Sequence, residues 1–506
     1  MQIPLDRRSP VPLARQIQGH LERLIRDGLL APGVKLPASR ELARALGVAR
    51  GAVVAAYEEL VAAGLARARV GQGTFVAERA PGAAPRATPT RRPAVSWSSL
   101  FSRSAELAAA DEARRRALAP PPARDDLVSF AGGVPDSALF PTEAFRRVLN
   151  AVVRDEGPAL LQYAPVTGYP ALRRYLAGYL LRVGVEARPE EILIVNGSQQ
   201  GFDLIARTFL DPGDTVAIEQ PTYPRAMEVF RACRAELLGV PWRDDGLDPD
   251  VLESVLARHR PKLLYCQPFG HNPTGLAMSG EAARRLLEAA ARHQVAVVED
   301  GFAPALSYGA RPPLPLRARD RDGVVLYIGT FSKILFPGLR LGWLVAPPPV
   351  VERLAAAKQL ADLHTSALLQ AAVHRFCERR LLDRHAARVA REYARRRDLL
   401  LAALRRHMPE GVTWTEPAGG FSLLVTLPAS LDAGALLPRA LERGVAFTPG
   451  AAFYLDAQGS PALRLSFSAV PAHRIEEGVR RLAEVVKDAL RRPARRAPEA
   501  AAVPLV

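Results

Sequence analysis

The stretch that decides the fold of most of this chain is GTFSKILFPGLRLGW, residues 329–343. It follows the apolar run Val324–Ile328, which places Lys333 in a loop at the end of a buried strand. Lysine is usually a surface residue, but the Thr, Phe, Ile and Leu neighbours here are poor surface sequence. A buried lysine near cations has a lowered pKa and can act as an amine nucleophile. Arg340, further along the stretch, could clamp a phosphate through two hydrogen bonds.

Other apolar runs alternate with helical patterns on both sides of this stretch. They are Ile192–Val195, Val216–Ile218, Leu263–Cys266 and Val295–Val298. The alternation predicts an α/β domain with a largely parallel sheet over residues 126–490. Such sheets place their ligands at the carboxyl ends of the strands.

Polar residues follow several of these predicted strands. Asp300 suits either a protonated ring nitrogen or an ordinary helix cap. The segment 196–200, NGSQQ, begins a helix whose free N–H groups could cradle a phosphate, although strand–helix junctions are common. Asn272 lies in an Asn-Pro sequence, which also forms ordinary turns. Tyr223 could stack on a ligand ring or fill the core.

Arg464 interrupts the apolar run LRLSF, residues 463–467. An inward-facing arginine there requires an anion such as a substrate carboxylate, whereas an outward-facing one needs only solvent. Pyridoxal phosphate (PLP) requires a lysine, an acid at its ring nitrogen, phosphate donors, an aromatic neighbour and a cation for the substrate carboxylate. The chain has a candidate for each.

The first 78 residues predict a small helical module with a hairpin. Pro12 precedes a helical pattern formed by Leu13, Ile17, Leu21, Leu24 and Ile25. Ser39 is expected to cap a second helix, and Gly47 to supply the turn before a third, residues 49–63. The apolar face of the third helix is predicted to comprise Val53, Tyr57, Leu60 and Val61.

Two tight helices joined at a glycine predict a helix-turn-helix whose second helix enters the DNA major groove. Residues 65–76 predict a two-stranded wing. The predicted DNA contacts are Arg40, Arg50, Arg67, Arg69 and, at the wing, Gly73. A helical domain with solvated arginines is the alternative, and the wing favours DNA binding.

Residues 36–77, LPASRELARALGVARGAVVAAYEELVAAGLARARVGQGTFVA, are similar to the DNA-binding module of the GntR family of bacterial regulators. Members of that family usually have Ser-Arg-Asn/Gln-Thr where this chain has Ala-Arg-Gly-Ala at residues 49–52. The change removes a helix cap and a polar groove contact, at about 1 kcal/mol of helix stability.

Over roughly residues 127–488 the chain resembles the fold type I aminotransferases, most specifically at SKILFPGLRLGW, HNPTG, NGSQQ and LRLSF. The resemblance implies a large domain with a mainly parallel sheet and a small C-terminal domain. It implies Lys333 as the Schiff-base lysine, Asp300 at the pyridine nitrogen and Asn272 at the phenolic oxygen of PLP. It further implies phosphate binding by Ser198, Gln199, Ser332 and Arg340, ring stacking by Tyr223, and substrate carboxylate binding by Arg464.

Two further residues are compared with the aminotransferase pattern. Tyr163 matches a tyrosine that reaches the partner subunit's phosphate, which implies a homodimer. Phe302 stands where the family usually has a tyrosine whose hydroxyl bonds the phenolic oxygen. Its missing donor is expected to alter the electronics of the cofactor and the pKa of its Schiff base.

Charge and composition indicate the nature of the segments outside the two modules and argue against a metal site. The net charge is +16, and residues 79–124 hold nine arginines against three acids, so 79–125 is predicted to be a basic Pro/Ala/Arg-rich linker with a short helix at 106–118. The charge near the N-terminus would suit a nucleic-acid contact, and a chain that is simply rich in arginine is the alternative explanation of that charge. The three cysteines lack metal-ligand spacing, so no metal is expected. Residues 491–506 are predicted to be a disordered tail.

No apolar stretch of about 18 residues is present, and the N-terminus lacks a signal core, so a cytoplasmic protein without a membrane span is expected. The order of the two modules resembles the MocR class of regulators. That resemblance implies a PLP-dependent transcription regulator that binds operator DNA and responds to an amine, amino-acid or PLP-related effector. An active aminotransferase with an accessory DNA-binding module is the alternative hypothesis, and a regulator or scaffold without PLP is the third.

Overall fold

A computed structural model describes residues 3–7, 9–69, 72–77, 95–117, 126–302, 304–309, 312–456, 459 and 461–491. The chain divides into two compact units, Met1–Ser96 and Trp97–Val506. The predicted tail, apart from Arg491, and most of the predicted linker lie outside the described residues. The domain boundaries at 78 and 126 therefore stay predictions.

The first unit has the predicted helices and hairpin. Its elements are α1 Leu13–Arg26, α2 Ser39–Leu46, α3 Arg50–Ala62, β1 Ala66–Arg69 and β2 Gly73–Val76. Gly47 ends α2 with φ of 63°, a left-handed conformation that glycine adopts without strain. The strands β1 and β2 pair antiparallel. This arrangement confirms the helix-turn-helix and its wing, of which residues 70 and 71 lie outside the described part.

Two expectations for the first unit are wrong. Ser39 does not cap α2, because Ala38 holds the cap position without a side-chain bond, while the Ser39 hydroxyl accepts a hydrogen bond of 3.3 Å from Arg50 Nε. Val61 is 38% exposed, since it follows the buried Leu60 and is rotated by about 100° from the core face of α3. The other predicted core positions of α3, Val53 and Tyr57, are buried.

The second unit is built on a sheet of eight strands in the order β4-β11-β10-β9-β8-β5-β6-β7. In chain order these strands are β4 Ile192–Val195, β5 Thr215–Gln220, β6 Glu236–Arg243, β7 Gly246–Leu247, β8 Leu263–Cys266, β9 Ala296–Asp300, β10 Val325–Thr330 and β11 Gly342–Val345. The five strands from β10 to β6 are parallel. At one edge β11 is antiparallel to β10 and to β4, so β4 runs in the same direction as the five, and at the other edge β7 is antiparallel to β6. The largely parallel sheet is thus confirmed.

A smaller sheet has the order β12-β13-β16-β15 and is antiparallel throughout. Its strands are β12 Thr413–Trp414, β13 Ser422–Thr426, β15 Thr448–Pro449 and β16 Ala462–Ser466. The short strands β3 Val128–Ser129 and β14 Val445–Ala446 pair parallel, and they tie the start of the second unit to its C-terminal part.

Helices cover both faces of the large sheet. The helices of the second unit are α4 Arg103–Ala117, α5 Thr142–Leu160, α6 Pro170–Arg182, α7 Gly197–Phe209, α8 Pro224–Ala232, α9 Pro249–His259, α10 Gly280–His293, α11 Leu316–Arg319, α12 Pro348–Asp362, α13 Ala367–Glu378, α14 Leu381–His407, α15 Ala433–Glu442 and α16 Ile475–Arg491. Alternate strand residues face opposite cores: on β5, Val216 and Ile218 pack towards α7 and α8, and Ala217 towards α9 and α10. The sheet is therefore buried on both sides and open for ligands only at its strand ends.

The helix predicted within the linker is present as α4, which belongs to the second unit. It packs against α8, and Asp111 Oδ1 lies 3.5 Å from Arg231 Nη1 of α8. Within the described residues, no helix is both long and apolar enough to cross a membrane.

Candidate functional site

The predicted ligand residues of the second unit meet at one cavity of about 790 Å³ beside the carboxyl ends of the parallel strands. Nine of the ten line it: Ser198, Gln199, Tyr223, Asn272, Asp300, Ser332, Lys333, Arg340 and Arg464. Strand and helix ends position them, because β9 ends at Asp300, β10 leads into the Lys333 loop and α7 begins at the segment holding Ser198. Residues that are more than 250 positions apart in sequence thus face one ligand space.

Lys333 lines this cavity. Its Nζ donates a hydrogen bond of 3.0 Å to the backbone oxygen of Gly133 and lies 5.9 Å from the centre of the Phe421 ring. Burial lowers the pKa of Lys333 from 10.5 to about 8, and the charges of Arg464 and Arg340 act in the same direction, against that of Asp300. A neutral amine is therefore available at mildly alkaline pH, as a nucleophilic lysine requires.

The lowered pKa makes a testable prediction for the reaction of Lys333 with an aldehyde. Only the unprotonated amine attacks, so the rate of covalent PLP attachment is expected to rise with pH and to level off above a midpoint near 8. The rate is measured by visible absorbance after PLP is added to cofactor-free protein across neutral and alkaline pH. A midpoint at 10.5, the ordinary lysine value, would show that the amine is not buried as the structure places it.

Asp300 is 3% exposed and has one oxygen without a partner. Its Oδ2 accepts hydrogen bonds from Tyr265 Oη at 3.0 Å and from Gln267 Nε2 at 2.7 Å, whereas Oδ1 accepts none. Burial raises the pKa of Asp300 to about 6, and the two donors and Lys333 oppose that rise. A buried oxygen without a donor is costly, so Oδ1 is suited to a ligand N–H such as a protonated pyridine nitrogen.

The N-terminus of α7 lines the cavity through Ser198 and Gln199. Gly197 has φ of 77°, and a Cβ there would lie 2.6 Å from Arg340 Nη2. Arg340 donates to the backbone oxygen of Asn196 at 3.2 Å, beside the free N–H groups of the helix. Glycine is thus required for the guanidinium to approach the helix start. A cation beside free backbone N–H groups fits a phosphate.

Arg464 is buried on β16 and faces the cavity, as the inward-facing alternative requires. It donates to Ala131 O at 2.7 Å, to Thr448 Oγ1 at 3.1 Å and to Asn272 Oδ1 at 3.2 Å, while its Nε has no partner. Burial lowers the pKa of Arg464 to about 10. None of the ion pairs found among the described residues involves Arg464, so it can take a ligand carboxylate.

Tyr223 and Phe302 are among the aromatic residues that line the cavity. Tyr223 caps the start of α8, and burial raises its pKa to about 12, so its hydroxyl stays protonated. Phe302 faces the cavity where a hydroxyl donor was expected from the resemblance. That position therefore offers an apolar edge and no hydrogen bond.

Tyr163 is the one predicted cofactor residue that the structure does not bring to this cavity. Its side chain is 77% exposed and makes an edge contact with His364 at 5.8 Å. Its predicted role at the phosphate of a partner subunit stays a prediction.

The predicted DNA-binding residues are all exposed on the first unit. Arg40 lies in α2, Arg50 begins α3, and Arg67 and Arg69 lie on β1. Ala49 caps α3 without a side-chain bond, as expected from its residue type. Gly73 pairs with Arg69 at the hairpin end.

The sequence interpretation missed several residues of the cavity. Gln267 and Tyr265 hold Asp300, Thr448 holds Arg464, and Arg114 and Arg115 of α4 line the outer part. Gln267 had a detectable signal, since it is a polar residue directly after the strand Leu263–Cys266. The arginines of α4 had none, because nothing in the linker sequence indicates that this helix packs on α8.

The donor set fits PLP. Asp300 has a free buried oxygen for the ring nitrogen, Lys333 a reactive amine, the start of α7 with Arg340 a phosphate site, and Arg464 a free cation for a carboxylate.

Comparisons with known proteins agree with both units. The model for bacterial regulatory proteins of the gntR family matches residues 13–76, and that for aminotransferase class I and II matches residues 126–482. The probable rhizopine catabolism regulatory protein MocR of Rhizobium meliloti is 32% identical over 94% of this chain and 94% of its own length. The 2-aminoadipate transaminase of Thermus thermophilus is 40% identical over 78% of this chain and 98% of its own length.

The solved structures show the same fold for the second unit. The α-aminoadipate aminotransferase LysN of Thermus thermophilus, complexed with N-(5'-phosphopyridoxyl)-L-leucine, matches with a TM-score of 0.73 and 38% identity over 78% of this chain and 100% of its own. PLP is the cofactor of this fold. The chain therefore belongs to the aminotransferase class I and II family, as a MocR-type member whose PLP-dependent fold follows a GntR-family DNA-binding domain.

Proposed function

We propose that this protein regulates transcription by binding operator DNA through its first unit and sensing an amino acid or amine at the PLP cavity of its second. The observation that carries the proposal is the position of α4. This helix lies within the predicted linker and near the start of the second unit, and its residues Asp111, Arg114 and Arg115 line the same cavity as Lys333. We propose that a ligand in that cavity contacts this helix, which follows the segment leading from the first unit. A purely catalytic domain does not require this contact.

The ligand is proposed to be bound at three points. Lys333 holds the cofactor, Arg464 takes the α-carboxylate of an amino acid, and Asn272 orients towards the cofactor's phenolic oxygen while its Oδ1 accepts from Arg464. PLP, when bound, supplies an electron sink for the α-carbon of the ligand. The side chain of the ligand then points to the outer cavity beside α4. An amine without a carboxylate is proposed to bind more weakly, because Arg464 would stay buried without an anion.

DNA recognition is proposed to rest mainly on arginines. Arg50 begins α3 and is held by the Ser39 hydroxyl, so it is positioned for a base edge or phosphate in the major groove. Arg67 and Arg69 extend from the wing towards the backbone. The alanine- and glycine-rich start of α3 supplies few other polar groups, so the base readout is concentrated in Arg50.

Replacing Arg50 tests the DNA half of the proposal. We expect Arg50→Ala to weaken binding to DNA from upstream of its own and adjacent genes by about tenfold, since one base contact is worth about 1–3 kcal/mol. Fluorescence anisotropy measures the Kd. The control is Arg26→Ala, an exposed arginine of α1 paired with Glu22 and outside the predicted contacts. Equal affinity of the two variants would remove Arg50 from the interface.

The proposed subunit arrangement is a homodimer in which Tyr163 contributes to the partner's phosphate site. Its support is the high exposure of Tyr163 together with that of Leu161 and Leu360, which are 72% and 92% exposed. Exposed apolar residues of this size are typical of an interface.

The second candidate function is a working aminotransferase. It is favoured by the presence of Lys333, Asp300, Asn272 and Arg464 in one cavity, and disfavoured by the apolar edge of Phe302. Incubation with amino-acid donors and a 2-oxo acid, followed by chromatography, separates the two functions. The absence of any new amino acid from every donor tried would eliminate the enzyme, and a regulator can retain slow turnover.

A further inference from the structure

Gln267 lines the cofactor cavity between Asp300 and Asn272. Its side chain is 2% exposed. The Nε2 group donates to Asp300 Oδ2 at 2.7 Å, and Oε1 accepts the backbone N–H of Asn272 at 3.0 Å. The backbone N–H can only donate and an ionised carboxylate can only accept, so these two contacts fix the orientation of the amide. No other orientation of the amide satisfies both neighbours.

The backbone of Gln267 is itself anchored. Its N–H donates to Glu219 Oε2 at 2.9 Å, and Glu219 lies fully buried on β5, the strand next to β8. The Thr222 hydroxyl donates to the other oxygen of that carboxylate at 3.4 Å. The backbone of Gln267 is therefore held in position by a carboxylate from the neighbouring strand β5.

A continuous path of hydrogen bonds follows from these contacts. It runs from Asp300 through the Gln267 amide to the backbone of Asn272, and from the Asn272 side chain to Arg464 Nη1 at 3.2 Å. The acid proposed for the ring nitrogen and the arginine proposed for the ligand carboxylate are thus connected through only two residues. The Gln267 amide thus contacts both Asp300 and the backbone of the residue whose side chain bonds Arg464.

We propose that Gln267 is a positioning residue that holds Asp300 for the ring nitrogen of PLP and couples it to the Asn272 loop. The proposal rests on the proposed assignment of Asp300 to that nitrogen. Gln267 and Tyr265 both donate to Oδ2 of the carboxylate, which leaves the buried Oδ1 without a hydrogen-bond partner. Without the amide the carboxylate could rotate, and its ionised form would lose a donor.

The charge of Asp300 depends on the same contact. Burial raises the pKa of this carboxyl, and the Gln267 amide is the first of the groups that oppose the rise. Loss of the donor moves the pKa further towards neutral pH, so that a larger share of Asp300 is protonated and unable to pair with a protonated ring nitrogen. The part of the loss that is transmitted through Asp300 therefore acts at the ring nitrogen, which the control cofactor used below lacks.

The test compares two cofactors in cofactor-free protein. One is PLP and the other is its 1-deaza analogue, in which a C–H replaces the ring nitrogen. We expect Gln267→Met to weaken PLP about tenfold while the Kd of the analogue changes little, since one donor to a charged group is removed. Gln267→Glu keeps the size and an acceptor for Asn272 but places a second buried carboxyl against Asp300, which opposes ionisation of Asp300, and it is expected to show the same selective loss. Fluorescence quenching gives each Kd.

The matched control is Gln370→Met. Gln370 is equally buried, and its amide bonds the backbone at Thr365 and Tyr169, away from the cavity. This variant is expected to keep the wild-type ratio of the two dissociation constants even if it is less stable. Equal loss of PLP and analogue in the Gln267 variants would reduce Gln267 to a structural role and overturn the proposal. A wild-type protein that does not prefer PLP to the analogue would instead refute the assignment of Asp300, and the proposal with it.

Discussion

Lys333→Ala is expected to abolish the visible absorbance of covalently bound PLP. Lys333 is the only one of the five lysines of the chain that lines the cavity, so no other amine can replace it there. The phosphate site at α7 and the free oxygen of Asp300 remain, so PLP is still expected to bind without a covalent bond and with lower affinity. Absorbance and equilibrium dialysis measure the two effects separately.

The control for Lys333 is Lys262→Ala, which removes a surface lysine that pairs with Asp214 at 2.7 Å. It is expected to retain the wild-type absorbance. Undiminished absorbance in Lys333→Ala would place the cofactor lysine elsewhere and contradict the site.

Asp300→Asn is expected to weaken PLP binding about a hundredfold without destabilising the cofactor-free protein. Asparagine keeps an acceptor for Tyr265 and Gln267 but cannot pair as an anion with a protonated ring nitrogen. A hundredfold change corresponds to about 2.7 kcal/mol, in the range for a charged hydrogen bond in a buried site. In the cofactor-free protein the substitution removes a buried charge with an unpartnered oxygen, so the Tm should stay equal or rise.

The control for this substitution is Asp320→Asn. Asp320 is another buried carboxylate, but it accepts four backbone N–H groups, from residues 322–325. Its variant is expected to lower the Tm and to leave the Kd of PLP unchanged. The opposite pattern, a loss of stability in Asp300→Asn with normal PLP affinity, would make Asp300 a structural residue.

The site residues that could be predicted from the sequence are charged residues that lie in or directly after apolar runs. Lys333 and Arg464 are charged residues in apolar runs, and Asp300 ends one, so each of these positions demands a partner or a ligand. The parallel sheet then explains why residues distant in sequence converge, because its strands end at one edge. The same reasoning gave the helix-turn-helix from Gly47 and the apolar spacing of the flanking helices.

Contacts made by uncharged or exposed residues could not be predicted from the sequence, because such residues do not stand out from their neighbours. Gln267 acquires its role only when β8 lies beside β9, which brings its amide to Asp300. The helix α4 has no fully buried residue, so its packing on α8 leaves no periodic apolar pattern in the sequence. Ser39 carries a residue type that favours caps, but a nearby arginine uses its hydroxyl instead.

The central claim is that a ligand at the PLP cavity changes how the protein holds DNA. Its most direct test is the Kd of the PLP-loaded protein for DNA from upstream of its own and adjacent genes, measured by anisotropy with and without a panel of amino acids and amines. We predict that at least one ligand shifts the Kd of the wild type by about tenfold, a typical coupling between two sites, and that Lys333→Ala does not respond. An unchanged Kd with every ligand, or an equal shift in Lys333→Ala, would contradict the claim.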